Sequence, residues 1–284
     1  MQLNQNDVAG SAVFWTLGEN TDYSKVSAAL SLAGFAKFTP EKMTEYAALK
    51  LTLETDFQGC EVFPVKGSPN TFEVVKVVRD STDNKNEYRH ILTARATGWQ
   101  NVECDTHDGA TEYRLTESYR RNLATVPYHS MSRALVDIVY SLQGTTLRPS
   151  GGIYWIPNAQ FEVWQTIAQA IETAGDRNKV FALRTFLDEN SAAVLREALS
   201  AEIAREASTI DATLHDPVTG LKAAATARKR ARDLRAKIAA YEQAFEMALP
   251  DLKRALDQAT GQEATAALMD AASAGPLLLF AESA

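Results

Sequence analysis

The stretch "LRPSGGIYWIP", residues 147–157, holds two prolines, two glycines and two large aromatics. "TTLRP" and "GIYWIP" flank Ser150-Gly151-Gly152, which reads as a β-hairpin whose glycines supply the positive φ of a tight turn. Pro149 and Pro157 cannot donate to a ladder, so they belong at strand ends or on an edge. The next residues, "NAQFEVWQTIAQAIETAG", have helical spacing through Phe161, Trp164, Ile167, Ala168 and Ile171, with Gly175 as the stop. "KVFALRTF" follows as a strand expected to pair with the hairpin.

Upstream, "SMSRALVDIVYSLQG" reads as a helix capped by Ser132 and ended by Gly144, with Leu135, Ile138, Val139 and Leu142 on one face. Before it, "CEVFPV", "TFEVVKVVR", "EYRHILTARATG" and "WQNVECD" are short and β-prone, and turn residues separate them. They predict an antiparallel sheet, followed by a helix through Tyr113, Leu115, Tyr119 and Leu123. Two helices are expected before the sheet. One is capped by Asp22 with Val26, Leu30 and Phe35 on a face and Gly34 as its stop. The other is capped by Thr39 with Pro40 in its first turn and Met43, Tyr46, Ala47 and Leu51 as its stripe. The first ten residues are polar and read as loose chain.

Past Asp188 the strand signals stop. Leu195, Leu199, Ile203, Ile210 and Leu214 mark one long helix, and "HDPVTG" marks a turn. Leu234, Ile238, Tyr241, Phe245 and Ala248 alternate at spacings of four and three, as in a coiled-coil seam. The expected result is a long antiparallel helical hairpin, broken at Pro250 and followed by a shorter helix. The fold class is therefore α+β: small antiparallel sheets with helices, then the helical hairpin. The implied regions are 1–126 (helices and sheet), 127–188 (helix, hairpin, helix, strand) and 189–284 (helical hairpin, kinked helix and apolar tail).

A chain of 284 residues suits two or three domains. Hydrophobic residues are 45% and charged residues 23%, ordinary for a globular protein, and no apolar run approaches the roughly 20 residues of a membrane span. The start lacks the basic and apolar segments of a signal peptide, and two cysteines are too few for a disulfide framework. The expected location is the cytoplasm of a bacterial host, with no membrane partner.

The net charge is −7, yet residues 222–237 hold seven basic side chains and one acid. Arg228, Arg232 and Arg235 share a helical face, with Lys229 beside them. One reading pairs this stripe with Glu197, Glu202, Glu206 and Asp211 of the first arm. A turn near Pro217 and Val218 brings Glu206 toward Lys229, and Glu202 toward Asp233 and its neighbours Arg230 and Lys237. The other reading is phosphate contact. Residues 112–123, 132–143 and 147–157 run helix, helix, hairpin, the order of a winged helix, with Arg148 near the wing tip. The recognition-position helix exposes Arg133, Asp137, Tyr140 and Gln143, which is not a base-reading face.

Cys104 and His107 have a C-x-x-H spacing, but a structural zinc site wants four ligands and Cys60 has no paired partner. A polar turn is the preferred reading, and no metal or other cofactor is expected. None of the phosphate-loop, dinucleotide, zinc-protease or serine-hydrolase motifs is present, and no catalytic residue is assigned. The tail "PLLLF" resembles the bacterial sliding-clamp-binding peptide at Leu277, Leu279 and Phe280, with Pro276 in place of Gln and Leu278 in place of a polar residue. The alternative is that the tail tucks into the protein itself.

The hairpin block, the helix after it, the strand "KVFALRTF" and the long Ala/Glu/Arg-rich helices resemble a family of uncharacterised phage and mobile-element proteins. The resemblance covers roughly residues 111–206 and implies no activity. The leading expectation is a non-catalytic interaction or assembly protein that uses the helical hairpin as contact arm toward a protein partner or a second copy. Nucleic-acid binding through Arg148, Arg228, Lys229, Arg232 and Arg235 is the first alternative, and an unrecognised enzyme the second.

Overall fold

A computed structural model describes residues 8–79, 86–98, 100–106, 108–148, 152–186, 188–216, 220–245 and 249–273, without the side chains of 79, 245 and 262–273. The chain forms two compact units, each built from separated segments. One comprises residues 1–14, 139–162 and 181–284, and the other residues 15–138 and 163–180. These units cut across the division into 1–126, 127–188 and 189–284. The fold is α+β, with small antiparallel sheets and long C-terminal helices.

The second unit contains the expected meander. Strands β3 (Glu61–Pro64), β4 (Thr71–Arg79), β5 (Asn86–Thr97) and β6 (Asn101–Cys104) pair in chain order, all antiparallel. A bulge separates Val74 from Val75. Phe72, Val74, Leu92, Ala94 and Val102 form its buried face. They share a core with Leu49 and Leu53 of α2 (Glu45–Asp56) and with Leu115 and Tyr119 of α3 (Gly109–Leu123). Asp108 caps α3 by accepting from the Ala110 and Thr111 amides. Tyr113, expected on the apolar face, is 70% exposed.

Helix α1 (Tyr23–Leu32) follows its expected grammar except at Phe35, which lies beyond its end and is half-buried. Asp22 accepts from the Lys25 amide, Val26 and Leu30 are buried, and Gly34 takes φ +80° past its end. The next helix does not. Thr39 and Pro40 lie outside any helix, and α2 starts at Glu45 with Thr44 as its cap. Met43 stays outside the helix, its amide donating to Thr125 O at 3.1 Å. The buried face is therefore Ala48, Leu49, Thr52 and Leu53, and Tyr46 is 45% exposed. A two-stranded pair, β2 (Thr21–Asp22) with β7 (Thr125–Val126), also lies in this unit.

Helix α4 (Tyr128–Ser141) begins before Ser132. Ser132 is no cap; its hydroxyl accepts from Trp15 Nε1 at 3.2 Å. Leu135, Ile138, Val139 and Leu142 are buried as the spacing requires. Helix α5 (Phe161–Ala174) buries Trp164, Ile167 and Ile171.

The first unit holds the motif. Strands β8 (Thr145–Thr146) and β9 (Tyr154–Pro157) form an antiparallel hairpin, Thr145 opposite Trp155 and Thr146 opposite Tyr154. Its connection is longer than a tight turn: the Leu147 amide donates to Ile153 O at 2.9 Å, and Gly152 takes φ +94°. Residues 149–151 lie outside the described residues. β9 is no free wing strand. β1 (Val8–Thr16) pairs along its other side, Gly10 opposite Pro157 and Val13 opposite Tyr154. The residues expected to be loose thus include a strand beginning at Val8, and Val8 and Ala9 are buried. Because β1 occupies that side of β9, β10 (Lys179–Phe186) joins β1 and not the hairpin, giving the order β10-β1-β9-β8.

Helices α6 (Glu189–His215), α7 (Leu221–Phe245) and α8 (Pro250–Ser273) complete this unit. Asp188 caps α6 through the Ser191 amide at 2.6 Å. The expected first-arm residues Leu195, Leu199, Ile203 and Ile210 are buried. Leu234, Ile238 and Tyr241 of the seam are buried with Ala227 and Ala231; the Phe245 side chain and Ala248 lie outside the described residues. Leu249, Leu252 and Leu256 join the same cluster. α8 spans 24 residues against 25 for α7, so the element after Pro250 is a third long helix and not a short appendage.

Candidate functional site

Trp155 is fully buried, its ring centroid 4.9 Å from that of Tyr241 on α7, and its Nε1 donates to Thr185 Oγ1 at 2.8 Å. The glycines beside it are required by contact. A Cβ on Gly10 would sit 2.3 Å from both Ile156 O and the Trp155 ring. One on Gly144 would sit 2.4 Å from the Val139 side chain and 2.9 Å from Trp155 O. The block 147–157 is thus a packing element, and its charged member, Arg148, is exposed at the start of the connection.

Next to Trp155 lies a buried polar network. Lys237 and Glu202 are 5% and 6% exposed and form an ion pair across α7 and α6. Thr145 Oγ1 donates to the other Glu202 oxygen. Lys237 Nζ also donates to Gly144 O at 2.6 Å and stands 5.4 Å from the Tyr140 ring centroid. Burial pushes the Lys237 pKa down, against the opposing pull of Glu202. Burial likewise holds the Tyr241 hydroxyl well above its ordinary range. The network links α6 and α7 to Gly144 and to β8 through charged side chains and a backbone carbonyl.

This pairing realises the cross-arm contact between Glu202 and Lys237, but inside the protein and not at a solvated rim. One sequence signal pointed to burial: Glu202 lies three residues after Leu199 and seven after Leu195, on the apolar stripe itself. Thr145 and the Gly144 carbonyl carry no such signal, because only the sheet brings them there.

The other basic residues face outward. Arg228, Lys229, Arg230, Arg232 and Arg235 are all exposed on α7. Arg235 is engaged, but by α8 and not the first arm: its Nη2 donates to Asp257 Oδ1 at 3.2 Å and to Thr260 Oγ1 at 2.6 Å. Among the described residues, Lys222, Lys229, Arg230 and Arg232 enter no salt bridge. Near the α6–α7 turn a shallow groove of about 570 Å3 has Ile210 and Ala227 among its lining residues, with Lys222 and Arg230 beside them.

Cys104 is buried in the second unit's core, and burial pushes its thiol up to about 11, which disfavours the thiolate a metal needs. Asp105 accepts from the Thr93 amide, and Asp108 caps α3. His107 lies outside the described residues, as do Leu277, Leu279 and Phe280 of the tail. Among the described residues, no group of three or more His, Cys, Asp or Glu is placed to hold a metal ion. His90 sits on the exposed side of β5, 3.4 Å from Asp105 Oδ2 and 3.1 Å from Thr93 Oγ1. Among the described residues, no helix is long and apolar enough to cross a membrane.

No curated protein and no solved structure matches the chain. One family model does, and its match runs from the first residue of β1 to the last of α8. The chain belongs to that family, a family of unknown function (DUF6744), over residues 8–273.

Proposed function

We propose that this is a non-catalytic interaction or assembly protein of a phage or mobile element, with α6 and α7 as its contact arm. One observation carries the reading. An acidic chain keeps a cluster of exposed bases on α7, and Lys222, Lys229, Arg230 and Arg232 find no acid among the described residues. Such a face suits an acidic protein surface, and the adjoining groove offers apolar floor. In this reading the buried Glu202–Lys237 pair sets the arm's register, which presenting a fixed surface requires.

Nucleic-acid binding is the second reading, favoured by Arg228 and Arg232 lying one turn apart on an exposed face. A salt titration with duplex DNA separates the two. The interaction reading expects weak binding even at low salt, and no steep salt slope. Submicromolar binding that disappears in the Arg228→Glu/Arg232→Glu variant would overturn it.

A further inference from the structure

We propose that the protein self-associates through the open edge of β5, pairing Asn86 to His90 antiparallel with the same segment of a second copy. β4 and β5 outrun their neighbours. β3 reaches only Val75 on β4, and β6 pairs with β5 only from Ala94 to Thr97. From Lys76 to Arg79 and from Asn86 to Arg89 the two strands pair with one another, and among the described residues no third strand joins them. Residues 86–91 are all exposed, Tyr88 at 60% and Ile91 at 37%. An edge of this kind offers unpaired backbone donors and acceptors to another strand.

The occupant follows from the charge order Glu87-Tyr88-Arg89. A two-fold axis at Tyr88 sets Glu87 opposite Arg89 of the second copy, and Arg89 opposite its Glu87. Both pairs fall on one face of the joined sheet, while Tyr88 meets Tyr88 on the other. Within one chain Glu87 and Arg89 already reach each other, Nη2 to Oε2 at 3.0 Å and Nε to Oε1 at 3.2 Å, so both side chains lie on that face. Lys76 stands opposite Arg89 on β4, which leaves the arginine next to a like charge and favours an added carboxylate beside it. The contact is isologous, so it closes at two copies. The edge is short, well below the roughly 1,000 Å2 of a permanent interface, and the dimer should depend on concentration.

The test uses the full chain in sedimentation velocity at low ionic strength. The native protein should shift from one copy toward two as concentration rises. Glu87→Arg sets Arg opposite Arg, Arg89→Glu sets Glu opposite Glu, and each alone should stay monomeric with an unchanged melting temperature. An equimolar mixture of the two restores every pair and should dimerise, as should the double swap Glu87→Arg/Arg89→Glu. A native chain that is monomeric throughout, single variants that still dimerise, or a mixture that does not would each overturn the proposal.

Discussion

Replacing Lys237 with Ala should lower the unfolding free energy of the C-terminal helical region by about 3–5 kcal/mol. The substitution leaves the Glu202 carboxylate 6% exposed with Thr145 as its remaining hydrogen-bond donor. It also removes the donor to Gly144 O and the cation beside Tyr140. An uncompensated buried charge is far more costly than an absent one. The paired replacement Lys237→Met/Glu202→Leu should therefore recover most of the loss, and relative to the native pair the change ranges from about neutral to ~4 kcal/mol more stable. Denaturant unfolding followed by circular dichroism reads both variants. A single variant as stable as the native chain would show that the pair is not desolvated. A double variant no better than the single would show that shape, and not charge, holds the helices.

Trp155→Ala should be nearly as damaging, at about 3–5 kcal/mol. The ring is fully buried, lies against Tyr241 and covers the space above Gly10. Truncation opens a cavity between β9 and the helices and strips Thr185 of its donor. The sheet cannot collapse into that space, because Gly10 is already in backbone contact with Ile156. The denaturation midpoint should fall and the α6–α7 region should lose protection from amide exchange. An unchanged midpoint would mean that the motif's aromatics are not the core of this unit.

These two residues also mark how far the sequence could be read. The β3–β6 meander and the α6–α7 seam were legible because each has a strong local period with turn residues between elements. β1 was not. "VAGSAVFWT" begins with small and polar residues, and Gly10 and Ser11 look like loop chemistry. Gly10 is there because Trp155, far along the chain, occupies the space its side chain would need. The start of α2 failed for a related reason. Thr39 and Pro40 imitate a helix entry, but Met43 is drawn into a backbone hydrogen bond with Thr125, and Thr44 caps instead. At the candidate site, spacing made the basic stripe readable and set Glu202 near Asp233, Arg230 and Lys237 without choosing among them. Glu202's place on the apolar stripe pointed to burial, but the choice of Lys237 as its partner depends on Thr145 and Gly144 arriving from a sheet whose strand order no local pattern encodes.

Protein contact by the outward face of α7 can be read by in-cell photocrosslinking. A photoreactive residue placed at Arg232 should yield a discrete adduct to another protein, and the same residue at Tyr113, exposed on the second unit, should not. Adducts to nucleic acid alone at position 232, or identical protein adducts at both positions, would mean that α7 is not a protein-contact face.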